Sequence, residues 1–418
     1  MHMYLYFLFI RIAAFFGHKK ARLLLRGQRE TLKRLAEMDA KWKEAAPVWI
    51  HAASVGEFEQ ARPLIERIKN EQPDLPIVLT FFSPSGYEMR KNYELVDGVF
   101  YLPFATRRNA RKFIAALQPR MAIFVKYEFW PAYIRELKKQ NIPVYSICAI
   151  FRKHQYFFRW YGKSQLAVLR RFTNIYVQDE ASRRLLAEHG VHNASVAGDT
   201  RFDRVYQVQQ DNLTHAKGLT PVAHFTEGCQ RVIIAGSTWQ KDEKLLAEYF
   251  EHANTVAPTK LIIVPHELDQ EHLHFIFNLF KGQAVSYSAI MNEAIPVLSR
   301  VNMLHRADIM VIDTMGLLSS LYRFGQVAYI GGGFGEGIHN TIEAAVYGMP
   351  VIFGPNYHHF REAQGLIDAH AAISIHDGKE LQQAMDYALE NYTIMGPKAA
   401  NYVASELGTT NTIYNDLF

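Results

Sequence analysis

Two glutamates stand where a carboxylate could act as a base. Glu57 lies in HAASVGEFEQ, residues 51–60, and Glu128 in VKYEFWP, residues 125–131. Each motif follows a short apolar run and opens onto a helix-forming stretch. A general base needs such a place, at the turn from strand to helix, to reach a substrate hydroxyl. A carboxylate at a helix start is also stabilised by the macrodipole alone, so both motifs admit a purely structural reading. Ser54 can cap the helix and Gly56 eases the turn, while Trp130 and Pro131 read as packing and first-turn residues. Arg201 follows in AGDTRFD, residues 197–203. Its planar fork suits a phosphate or a carboxylate, and an ion pair with Asp199 or Asp203 is the plain alternative.

The second half of the chain carries chemistry of another kind. AGSTWQKDE, residues 235–243, turns off a strand with small residues, and Ser237 and Thr238 are both helix caps and phosphate donors by type. DTMGLLSSLY, residues 313–322, places Met315, Gly316 and Leu317 before a helix whose free N–H groups could take a phosphate without metal. YIGGGFGEGIHNTIEAAVYGMPVIFGP spans residues 329–355. Its glycines, Gly332 among them, let backbone come close to a ligand. Asn340 and Glu343, flanking Thr341 and Ile342, share one face of a helix start. A carboxylate there can accept both hydroxyls of a ribose. A glycine-rich loop alone is weak evidence. Joined to the helix-borne glutamate and the PVIFGP strand, it points to the donor domain of a two-domain glycosyltransferase.

Other chemistry is missing. The sequence has no D-x-D pair, no HExxH and no Walker loop, and its 18 histidines show no ligand spacing. No metal and no cofactor are expected. Cys148 and Cys229 form no CxxC pair, so no disulfide framework is expected either. A net charge of +5 does not by itself mark a nucleic-acid binder.

The elements that must hold these residues alternate. Apolar strands are expected at 48–53, 77–82, 99–102, 121–125, 144–150, 174–178 and 195–198, with helices at 57–70, 106–117 and 130–140. After a polar stretch the pattern resumes with strands at 232–236, 261–265, 309–313, 327–332 and 350–354. Helices at 239–256, 268–281, 340–348 and 378–392 separate them. Continuous apolar strands parted by helices make a parallel sheet covered on both faces. The expectation is an α/β protein of two Rossmann-like domains facing each other across a cleft, with ligands beyond the carboxyl ends of the strands. The expected bounds are a membrane-associating helix over 1–35, an acceptor domain over 36–203, a linker over 204–230 and a donor domain over 231–418.

The N-terminal stretch 3–16 is apolar apart from Arg11. It is shorter than the roughly 20 residues that cross a bilayer as a helix. Lys19, Lys20, Arg22, Arg26, Arg29, Lys33 and Arg34 follow, with Glu30 the sole acid among them. An aromatic plug before a basic helix can lie on an anionic leaflet. The alternative is a helix packed on the protein's own core with a solvated basic face.

HAASVGE, YEFWP, GDTRFD, DTMG and GxxxGxHNxxEAAxxGxPVxFGP, in that order over nearly the whole chain, resemble the 3-deoxy-D-manno-octulosonic acid (Kdo) transferases of lipopolysaccharide synthesis. The resemblance implies a glycosyltransferase B-type fold and metal-free, inverting transfer of Kdo. The donor would be CMP-Kdo and the acceptor a lipid A precursor of the lipid IVA type, at the cytoplasmic face of the inner membrane, with no nucleic-acid partner. By resemblance Glu57 matches the catalytic base and Glu128 a second glutamate with a transition-state role. Pro265, His266, Met315, Gly316, Leu317 and Asn340 through Glu343 match positions that contact CMP. Three positions depart from the pattern. Tyr127 stands where threonine is common, Arg201 where lysine is usual, and His266 where a basic residue often follows the proline. Two other readings are a UDP-sugar enzyme of the same fold and a non-catalytic, membrane-bound nucleotide-sugar-binding protein.

Overall fold

The computed structural model describes residues 2–37, 44–214 and 218–418. Residue 1 of the expected N-terminal segment and residues 215–217 of the expected linker lie outside them. The chain divides into two compact units, one of residues up to Arg204 together with Leu407–Phe418, the other Val205–Glu406.

Seven parallel strands form the first unit: β1 (Val48–Ala52), β2 (Ile77–Phe81), β3 (Gly98–Tyr101), β4 (Met121–Val125), β5 (Val144–Ala149), β6 (Asn174–Val177) and β7 (Ala194–Val196). They lie in the order β3-β2-β1-β4-β5-β6-β7. Strands buried on both faces must be apolar along their length, and VWIHA and MAIFV are. Trp49, Phe113, Phe124 and Tyr133 interlock on one face. Ile50, Phe58, Ile65 and Phe81 fill the other. The chain winds one way through β1, β2 and β3, then crosses back to β4. That reversal sets the loops after β1 and β4 side by side, at the switch point where such sheets bind ligands.

Two helices precede this sheet, where one continuous segment is expected. His2–Phe15 and Lys19–Ala36 are parted at Gly17, whose φ of +94° suits glycine. The second helix packs on the unit's own core. Thr31 donates to the Tyr101 carbonyl at 2.9 Å, and Phe7, Leu24, Tyr101 and Phe104 cluster beneath. The first helix leaves Leu8, Phe9, Ile12 and Phe15 exposed, and Phe16 just after it is exposed too. Among the described residues no helix is long and apolar enough to cross a membrane.

The second unit repeats the plan with β8 (Val232–Thr238), β9 (Lys260–Pro265), β10 (Ala284–Ser286), β11 (Ile309–Val311), β12 (Val327–Ile330), β13 (Val351–Phe353) and β14 (Ala372–Ser374). The order β10-β11-β9-β8-β12-β13-β14 reverses between β8 and β12. Two of the expected boundaries differ. The stretch read as a linker, 204–230, is largely helical, with Thr200–Thr214 and Thr220–Thr226. Its polarity marks a solvated helix face, and Val222 and Phe225 are buried. The donor domain expected to run to 418 ends at Glu406. Beyond it Asp203 accepts from the Gly408 and Thr410 amides, both at 2.7 Å, and from the Thr410 hydroxyl at 2.6 Å. Ile413 is buried in the first unit's core.

Candidate active site

In the first unit, Ser54 caps the helix Val55–Glu71, and Glu57 stands in that helix's first turn. The Glu57 carboxylate accepts from the Ala53 amide at 2.5 Å. Burial, and then the charge of Glu128, push its pKa up to about 7, against the pull of backbone donors and Lys126. A carboxyl that changes charge near neutrality is suited to take a proton there.

Glu128, after β4, is held differently. Its Oε2 accepts from Trp130 Nε1 at 2.6 Å and lies 3.2 Å from His51 Nε2, and the indole also reaches that nitrogen at 3.0 Å. The other nitrogen of His51 lies 3.1 Å from the Thr80 carbonyl. The same nitrogen lies 2.9 Å from the Thr80 hydroxyl, which can donate to it and leave Nε2 to donate to Glu128. His51 is fully buried. One carboxylate is therefore pinned by two side-chain rings, while the other is left with backbone donors alone and a raised pKa.

Arg201 follows the plain alternative. Its Nε and an Nη lie 2.9 and 2.8 Å from the same oxygen of Asp199. Asp199 is 1% exposed and also accepts from Gln60 and Gln178 at 2.9 Å. Burial pushes the Asp199 pKa up, but the Arg201 charge and these hydrogen bonds outweigh it and hold it low. The fork expected to meet a phosphate is engaged with a buried carboxylate.

In the second unit the switch point joins the loops after β8 and β12. A side chain at Gly331 would come within 2.3 Å of the Ser237 carbonyl, so glycine is required for the two loops to meet. Gly332, at φ +89°, donates its amide to Asp242 at 2.9 Å. Ser237 itself takes a left-handed φ of +54°. Thr238 is fully buried and its hydroxyl donates to Glu243 at 2.8 Å, so that hydroxyl is engaged by the protein and not free for a phosphate. Beyond Pro265, the last residue of β9, His266 stacks between two rings, 4.7 Å from Trp239 and 4.3 Å from His339. Trp239 Nε1 donates to His339 Nε2 at 3.1 Å. Burial, and then His266, push the His339 pKa down to about 4, so the ring is neutral. These rings, Gly332, Phe334 and Phe360 line a cavity of about 610 Å³.

The remaining expected residues lie outside that lining. Met315 is 82% exposed beside Gly316, whose φ is +89°, and Leu317 is half-buried. Asn340 Nδ2 donates to Glu343 at 2.8 Å. The helices expected after them are single turns, Leu318–Leu321 and Ile342–Ala345. One turn sums few peptide dipoles, so a phosphate here would depend on individual amides. Thr314 and Thr341 have buried hydroxyls with no hydrogen-bond partner among the described residues. Buried polar groups are rarely left so. The sequence reading passed over Thr314, His51, Lys126, Trp239 and His339. Each lies inside a motif already singled out, and a histidine within the apolar strand VWIHA was the available signal.

The model of the family described as 3-Deoxy-D-manno-octulosonic-acid transferase (kdotransferase) matches residues 26–204. The 3-deoxy-D-manno-octulosonic acid transferase of Rickettsia bellii is 26% identical over 399 residues, 93% of this chain and 91% of that protein. That of Aquifex aeolicus is 25% identical over 351 residues, 82% of this chain and 86% of that protein. Among solved structures, UDP-GlcNAc 2-epimerase from Neisseria meningitidis aligns over 89% of this chain and 99% of that chain, with a TM-score of 0.64 and 14% identity. At that identity the likeness speaks for the fold alone. These sequence relatives make the chain a glycosyltransferase. Within that class the chain is a relative of the Kdo transferases, as its ordered motifs lead one to expect.

Proposed function

We propose that this enzyme transfers Kdo from CMP-Kdo to a hydroxyl of a lipid A precursor, with inversion and without metal. The observation that carries the reading is Glu57, a carboxyl at the first unit's switch point with its pKa pushed up to about 7. Glu57 removes the proton from the acceptor hydroxyl, and the oxygen attacks the anomeric carbon of Kdo. The bond from that carbon to the phosphate oxygen breaks, and CMP leaves with the electron pair. Glu128, fixed by Trp130 and His51, stabilises positive charge developing on the sugar. The second unit holds the donor. Glu343 accepts the ribose hydroxyls, and the hydroxyls of Thr314 and Thr341 and the amides around Gly316 and Gly332 meet the nucleotide. Arg201 acts through the buried Asp199 and takes no direct step. The exposed aromatics of the first helix and the basic residues of the second seat the enzyme on an anionic leaflet, where the lipid acceptor lies.

The test is incubation of purified protein with CMP-Kdo and a tetra-acylated lipid A precursor, followed by mass spectrometry of the lipid. Addition of the mass of Kdo is expected, in EDTA as without it. A lipid of unchanged mass, together with thermal stabilisation by UDP and not by CMP, would overturn the reading.

A further inference from the structure

Lys126 is the residue directly after β4, at the switch point beside the loop that carries Glu57. Its backbone is fixed on both sides. The amide donates to the Ile147 carbonyl at 2.9 Å, and the carbonyl accepts from Ser146 at 3.2 Å. Its φ is +54°. Glycine would hold that left-handed conformation without strain, whereas a lysine there is strained, and such strain gathers at ligand clamps.

The ammonium is as unusual as the backbone. Lys126 is half-buried, yet its side chain makes no hydrogen bond or ion pair with any described residue. Comparable cations in the same unit are engaged. Lys69 pairs with Asp97 at 3.1 Å, and Arg62 with Glu66 at 2.7 Å. The nearby carboxylates have other partners, Glu57 on the Ala53 amide and Glu128 on Trp130. The field of Lys126 still reaches Glu57, whose pKa it lowers. A cation at the switch point whose side chain meets no carboxylate among the described residues is placed to take a bound anion.

We propose that Lys126 is a specificity-determining residue that binds an anionic group, phosphate or carboxylate, of a substrate beside the hydroxyl on which Glu57 acts. This rests on the transfer reading above. The anion has two sources there, a phosphate on the lipid acceptor or the carboxylate of the donor sugar. Both present oxygens to an ammonium in the same way.

Initial rates for Lys126→Met, Lys126→Arg and Lys126→Gly decide the matter, using CMP-Kdo with phosphorylated and dephosphorylated lipid acceptors. Lys126→Met is expected to raise one KM by about tenfold or more, the loss of one charge-assisted contact. If the anion is the acceptor phosphate, that KM rises to the dephosphorylated acceptor's value and the difference between acceptors disappears. If it is the donor carboxylate, the CMP-Kdo KM rises while affinity for free CMP holds. Lys126→Arg keeps the charge and recovers most of the loss. Lys126→Gly melts no lower than wild type but shows the same KM defect, which separates the side chain's role from the backbone's. The acid limb of the rate profile also moves to higher pH in Lys126→Met, because Glu57 loses a cation that favours its charged form. Both KM values within twofold of wild type in Lys126→Met would overturn the inference while leaving the transfer reading intact. A wild type that transfers no Kdo would overturn the transfer reading instead. Thermal shift with inorganic phosphate then judges Lys126. Stabilisation in wild type that is lost in Lys126→Met sustains it, and equal stabilisation in both refutes it.

Discussion

Glu57 and Glu128 are the same residue type in two environments, and the proposed division of their work rests on that difference. Glu128 is held by an indole N–H and a buried imidazole, whereas Glu57 keeps only backbone donors and a pKa pushed up to about 7. Glu57→Gln is expected to keep the fold and CMP binding while turnover falls about 10²–10⁴-fold, the usual share of a general base. In the parent enzyme kcat/KM should fall as pH drops below about 7, where Glu57 becomes protonated. The same group affects stability with the opposite sense. Because its folded pKa lies above the ordinary 4.5, its stabilising contribution is complete below that value and is lost as pH rises through about 7. Glu57→Gln should therefore melt above the parent at pH 8, with the gap closing toward pH 4.5. Thermal denaturation at the two pH values checks this. In the second unit, Glu343→Ala should weaken CMP by roughly 1.5–3 kcal/mol, the loss of charge-assisted ribose contacts. Calorimetry with CMP on the folded variant measures it, and an unchanged affinity would remove Glu343 from the ribose.

At the scale of elements, much was legible because a parallel sheet covered on both faces writes itself as apolar runs. MAIFV, VWIHA and LIIVP are strands where the pattern puts them. The edge strands β10 and β14 were missed, since AVS and AIS are three residues long and carry no pattern. The helix expected over 378–392 continues to Ser405 through Pro397, where packing overrides a residue that ordinarily stops helices. The site was legible as motifs but not as partnerships. The spacing offered Arg201 both Asp199 and Asp203 without choosing between them, and did not show that Thr238 is spent on Glu243, because both depend on which side chains burial leaves facing each other. The N-terminal helices divide the two expectations for that segment. Lys19–Ala36 packs on the core, whereas His2–Phe15 buries Phe7 and shows Phe9 and Phe15 to solvent. Removing residues 1–17 should abolish sedimentation with anionic liposomes and leave CMP affinity unchanged. Intact protein that ignores such liposomes at low salt would end the membrane reading.

At the scale of the molecule, the second unit is inserted into the first, whose sequence resumes at Leu407. The returning segment is anchored by three hydrogen bonds to Asp203, by Ile413 in the core, and by Tyr414, which accepts from Gln72 at 3.2 Å. Deleting residues 407–418 should lower the melting temperature of the first unit and abolish transfer while CMP still binds. A truncated protein with full activity would show the segment to be dispensable.

The returning segment also orders events on the ribosome. Domains fold as units while the chain emerges from its N-terminal end. Residues 205–406 are all made before 407–418, so the second unit can fold while the first still lacks its returning segment. The late segment lies against the helix Val55–Glu71, which carries Glu57. A nascent chain therefore completes its second unit before the segment that packs on the Glu57 helix has been made.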